Sequence, residues 1–172
     1  GGGLNLFADN HSVTITNSVI TGNTTVGEGG GVFVRHTNGG AILVQGSTIS
    51  NNTSASRGGG VSSINFGTAA FTINQDSVVS GNTSQGLASL AAEGGGIYSN
   101  SAATTTINEV TITGNSATGV GAAEQRGGGG IATGGGTVNV TFNRIVGNTA
   151  LGLGGSGIHK DLNPGTTTAT NN

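Results

Sequence analysis

Seven carboxylates, three imidazoles and one glycine-rich run are the groups in this chain whose types or spacing suggest chemistry. The acids are Asp9, Glu28, Asp76, Glu93, Glu109, Glu124 and Asp161. Cleaving a polysaccharide by general acid–base catalysis would require two of them, with Arg or Lys alongside, to meet on one surface. Asp76 and Glu109 come nearest, because they hold equivalent places in successive repeats; most of the others fall in or beside segments of variable length. His11, His36 and His159 are far apart in the repeat register and read as surface residues with no shared metal site. The run Gly152 to Gly157 spells the dinucleotide-binding fingerprint, but no helix pattern follows it. A calcium-binding glycine-rich turn needs an aspartate inside each turn, and none of the five complete glycine blocks contains one. With no cysteine there is neither a thiolate ligand nor a sulfur nucleophile, and no disulfide framework. The reading is of no catalytic residue, no metal and no cofactor.

The composition points the same way. Charged residues make up 7% of the 172 positions and the formal net charge is -2, so no basic face exists for a phosphate backbone and nucleic acid is not an expected partner. No apolar run approaches the roughly 18 residues of a membrane helix, so this segment is not expected to insert into a bilayer. Hydrophobic residues reach 33%, almost all Val, Ile, Leu and Ala, with no Trp or Met, which predicts a thin aliphatic core. Glycine fills 36 positions in clusters without a period of three, and Pro164 is the single proline, which excludes collagen.

The elements that would position any site are set by an internal repeat. Gly1-Gly2-Gly3-Leu4 recurs as Gly29 to Val32, Gly58 to Val61, Gly94 to Ile97 and Gly128 to Ile131, then in altered form as Gly155-Ser156-Gly157-Ile158. Between the blocks a β-branched residue stands three places before an asparagine: Ile20 and Asn23, Ile49 and Asn52, Val79 and Asn82, Ile112 and Asn115, Ile145 and Asn148. The asparagines lie 29, 30, 33 and 33 residues apart, and the added length falls mainly in segments such as Ser84 to Glu93 and Ala117 to Arg126. Elsewhere apolar residues alternate with Thr, Ser and Asn at period two, the signature of strands.

Strands this short, without helices or two-residue hairpins between them, are expected to coil, each pairing in parallel with its copy about 4.8 Å further along the axis. The predicted fold is all-β: a right-handed, single-stranded parallel β-helix of about six coils with three short strands each. Coils begin near residues 1, 29, 58, 94, 127 and 154; residues 159–172 are a polar tail or the start of a further, irregular coil. Leu4, Val32, Val61, Ile97, Ile131 and Ile158 form one expected internal stack, and Ile20, Ile49, Val79, Ile112 and Ile145 a second. Asn23, Asn52, Asn82, Asn115 and Asn148 form a hydrogen-bonded ladder in this reading, at a turn whose left-handed conformation asparagine tolerates and which the preceding Gly22, Gly81, Gly114 and Gly147, with Asn51 once in their place, relax. Glu28, Arg57, Glu93 and Arg126 precede the glycine blocks with alternating sign, which predicts a charge ladder between coils.

The two motifs together resemble the repeats of bacterial right-handed β-helix surface proteins, most closely the polymorphic outer-membrane protein type. That family carries a glycine-glycine-apolar motif and a Phe-x-x-Asn motif in each coil; this chain has Ile or Val at the phenylalanine position, as in Ile20 through Asn23 and Ile112 through Asn115. The resemblance implies an extracellular or cell-surface module of bacterial type, structural or adhesive and adhesin-like, rather than an enzyme. Expected partners are further repeats, or other copies stacked end to end into a filament or surface fibre, and a glycan or host-surface ligand. The alternative is a carbohydrate-active β-helix, similar to a polysaccharide lyase, or a glycan-binding one. Tyr98 as the single tyrosine, with no Trp, predicts little aromatic surface for sugar stacking.

Overall fold

The computed structural model describes residues 1–7, 9–86, 91–119, 127–151, 154–160 and 165–172. These form four parallel sheets that run the length of a β-solenoid, with no helix among the described residues. The first sheet stacks Leu4–Phe7, Val32–His36, Val61–Asn65, Ile97–Ser101, Ile131–Thr133 and Ile158–Lys160. The second stacks Val13–Thr16, Ala41–Gln45, Ala70–Asn74, Thr104–Asn108, Gly136–Thr141 and Gly165–Thr170. In the third are Val19–Thr21, Thr48–Ser50, Ser77–Ser80, Val110–Thr113 and Arg144–Val146, and in the fourth Thr24–Thr25, Thr53–Ser54, Thr83–Ser84, Ser116–Ala117 and Thr149–Ala150.

Two counts differ from the sequence expectation. Five coils are complete, and the sixth glycine block opens a turn that supplies strands only to the first two sheets. Each complete coil also has four strands, not three, because two residues after the ladder asparagine pair as a strand of their own. Two residues are too few to display alternation, so this strand has no sequence signature.

In the register, Val32 pairs with Leu4 and Val61, and Ile97 pairs with Val61 and Ile131, which in turn pairs with Ile158. Ile20, Ile49, Val79, Ile112 and Ile145 pair likewise in the third sheet. Members in the middle coils are completely buried, and Leu4, Ile145 and Ile158 near the ends are partly so. Close stacking explains the glycines. At Gly58 the φ of +62° lies in the left-handed region, whereas at Gly59 a Cβ would come 2.3 Å from the Gly95 oxygen and 2.4 Å from the Thr83 carbonyl carbon. The first glycine is thus needed for conformation and for space, since its Cβ would also come 2.2 Å from the Val61 oxygen, and the second for space alone. At the asparagine corner the left-handed residue is the one before the ladder position (Gly22, Asn51, Gly81, Gly114 and Gly147), the residue the sequence marks as relaxing this turn, and the ladder asparagine itself is not left-handed.

The interior changes character along the axis. Coils one and two place Leu6 and Val34 inward on the first sheet, while coils three, four and five place Ser63, Ser99 and Thr133 in the same column. Ser99 bonds Thr105 across the interior at 2.7 Å, and Thr133 bonds Thr167 at 3.2 Å. One coil earlier Phe71 holds the place of Thr105, so the Ser63 hydroxyl has no partner.

His36, expected at the surface, is completely buried beside it. Its inward position pairs with Asn65, and neither imidazole nitrogen has a hydrogen-bond partner; the Asn65 Oδ1 is also unpartnered. A desolvated polar group without a partner costs about 1–3 kcal/mol. His36→Leu should therefore raise stability by about 1–2 kcal/mol, read as a higher urea midpoint at unchanged slope.

Candidate functional site

The recurring polar residues are organised along the axis. In each middle coil the ladder asparagine accepts two bonds at Oδ1, from the backbone N and the Nδ2 of the asparagine one coil earlier; for Asn82 these are 3.0 Å each, from Asn52. Its own Nδ2 donates onward to Asn115 Oδ1 at 2.9 Å and back to the Ile49 carbonyl at 2.9 Å. Both amide hydrogens and both lone pairs of a fully buried side chain are thereby satisfied. The same pattern links Asn23, Asn52, Asn82, Asn115 and Asn148.

A second ladder lies at the corner between the second and third sheets. Ser18 N donates to Ser47 Oγ and Ser47 N to Ser77 Oγ; further along, Val110 N donates to Asn143 Oδ1, and Asn143 N and Nδ2 both donate to Asn172 Oδ1. Asp76 and Glu109, the acids that came nearest to a catalytic pair, are exposed turn residues of this same corner with φ of 58° and 56°. The Asp76 N–H donates to the Glu109 carbonyl at 2.8 Å, so what joins them is backbone.

The outward face of the first sheet carries the charge ladder and divides into two parts. Arg57 Nε meets Glu93 Oε2 at 2.7 Å, and its Nη1 meets Glu28 Oε1 at 3.5 Å, with Glu93 almost wholly buried. The Arg57 guanidinium also stacks over Tyr98, 5.1 Å from the ring centroid. Arg126, the expected next member, lies outside the described residues, as do Glu124 and Asp161. Tyr98 is 2% exposed, and Ala92 and Glu93, from the longer segment that leads into coil four, are buried with it. In this part the face is covered by the chain itself.

The lead-in segments of coils two and three are short, and beside coils one to three the face is open. Phe7, Phe33 and Phe66 gather on it with Arg35 and Ile64, lining a groove of about 450 Å³ with Asn5 and Glu28 at its edge. Phe7 and Phe66 are 67% and 62% exposed, large values for aromatic side chains on a folded surface. Phe7 and Phe33 pack with ring centroids 5.9 Å apart, and the Arg35 guanidinium lies 5.4 Å above the Phe66 ring. Sequence reasoning, looking to Tyr98 for aromatic surface, missed this site. The available signal was parity: Phe7, Phe33 and Arg35 are out of phase with the inward residues Leu4, Leu6, Val32 and Val34 on their own strands.

The remaining candidates stay dispersed. His11 is exposed, and His159 pairs with Ala132 on the first sheet. Asp9 accepts from the Thr37 hydroxyl and N–H of the next coil, and the hydroxyl bond holds its carboxyl below the ordinary aspartate value. Among the described residues no group of three or more His, Cys, Asp or Glu could hold a metal ion. Comparison with protein-family models, with curated proteins and with solved structures gave no significant match.

Proposed function

We propose that the chain is a structural and adhesive module of an extracellular, bacterial-type surface protein, a rod rather than an enzyme. The observation that carries this reading is the direction of its polar chemistry: the asparagine ladder binds coil to coil and leaves matching groups at the two ends. At one end Asn23 Oδ1 has no bond among the described residues, and at the other the Asn148 N–H donates to nothing in the described coil. An end that offers ladder donors, opposite an end that offers an acceptor, is a template for further coils. The resemblance of the repeat to bacterial surface repeats supports the extracellular, adhesin-like placement.

Negative-stain imaging with light scattering over a concentration series is expected to show particles that lengthen along one axis. Single copies alone at the highest concentration would remove the filament version. The rival reading, a carbohydrate-active or glycan-binding β-helix, draws its support from the phenyl groove. Release of new reducing ends or unsaturated sugars from a panel of uronate polysaccharides would overturn the structural reading in its favour.

A further inference from the structure

The first sheet offers its own template for what the open groove takes. Where the face is covered, three groups are layered: the Tyr98 ring, the Arg57 guanidinium above it, and the carboxylate of Glu93, which follows Ala91 and Ala92 at the entry to coil four. Where the face is open, two of these layers recur. Arg35 in coil two stacks over Phe66 beside coil three, as Arg57 stacks over Tyr98 of coil four, and Arg35 has no acidic partner among the described residues. The nearby Glu28 is already engaged, with Oε1 facing Arg57 and Oε2 accepting from Ser62 Oγ at 2.9 Å.

We propose that the open part of the first sheet is a docking surface for an extended, acidic polypeptide segment whose carboxylate completes the Arg35–Phe66 stack. In the covered part the residue before the acid, Ala92, is buried with it, and in the open part Phe7 and Phe33 supply the apolar floor. A guanidinium held against a ring is pre-oriented, and an arriving carboxylate gains both the charge-assisted bond and the partly dry surroundings of the groove. The proposal rests on the adhesive reading and gives it a ligand class.

The test uses the whole chain, ¹⁵N-labelled, titrated with a synthetic peptide that has the sequence of residues 85–93, the stretch ending in Glu93, capped at both termini. Saturable shifts are expected at Asn5 to Phe7, Phe33 to Arg35 and Phe66. Replacing the peptide's Glu with Gln, or Arg35→Gln in the chain, should weaken binding at least tenfold. Phe66→Ala, a second surface variant, should do the same while the rest of the spectrum stays in place. Absence of shifts at millimolar peptide, shifts indifferent to the Glu-to-Gln change, or perturbation of these residues by oligogalacturonate in place of peptide would each overturn the proposal. None of these failures touches the rod reading, which stands or falls on the lengthening of particles.

Discussion

Asn115→Ala is expected to destabilise the chain by about 4 kcal/mol, and Asn23→Ala by less than about 1 kcal/mol, although the two residues hold the same place in the repeat. Asn115 is completely buried, and its Oδ1 accepts from Asn82 N at 3.0 Å and Asn82 Nδ2 at 2.9 Å. Its Nδ2 donates to the Val79 carbonyl at 2.9 Å and to Asn148 Oδ1 at 3.0 Å. Truncation leaves two donors of Asn82 and the Val79 oxygen without this partner in a site water cannot enter freely. At about 1–3 kcal/mol for each desolvated orphan, partly relieved by relaxation, the sum reaches the upper end of single-site effects. Asn23 donates to Asn52 Oδ1 and to its own neighbour Thr21, and lies at the exposed end where water replaces what is lost. Asn115→Asp separates shape from bonding, since it keeps the volume, removes both donors and sets a charge at a fully buried point; it should be at least as damaging. Urea unfolding of the three variants checks this, and equal losses at positions 23 and 115 would mean that the ladder is not the source.

Legibility from sequence follows from how many coils repeat a choice. The columns through Val32 and Ile49, and the ladder through Asn82, could be read because stacking imposes one residue type coil after coil. The second ladder could not, because its column mixes Ser18, Ser47 and Ser77 with Val110, Asn143 and Asn172, three types that reach the neighbouring coil differently or not at all. His36 escaped for a related reason. It sits inward at the end of a strand where the columns give way to Asn65 and Ser101, and a lone histidine amid polar residues looks like surface until its parity is traced from Val32 and Val34. The groove was hidden because it belongs to no column: Phe7, Phe33 and Phe66 come together only through the inter-coil register and the shortness of the lead-in segments before coils two and three. Arg57 lay in the predicted charge ladder, but that it would also cap Tyr98, and so hint at the role of Arg35, required coordinates.

Gly59→Ala should cost more than about 3 kcal/mol or prevent folding, whereas Gly22→Ala should cost about 1 kcal/mol. Both replacements add one methyl group to a glycine of the repeat, so the difference isolates cause. Gly22 has a φ of +69° with nothing within 4 Å of an added Cβ, and the equivalent corner of the next coil already holds Asn51 at φ +53°. Its replacement therefore meets only the conformational penalty of a left-handed alanine. Gly59 has no such φ, but its Cβ would lie 2.3 Å from the Gly95 oxygen, 2.4 Å from the Thr83 carbonyl carbon and 2.6 Å from the Thr83 nitrogen. All three are backbone atoms of paired strands, so relief requires adjacent coils to separate and break the bonds that hold them, such as Gly59 N to Gly94 O at 3.1 Å. Thermal melts that show Gly59→Ala no less stable than Gly22→Ala would refute the steric account of the glycine block, and with it the reason the repeat spells three glycines.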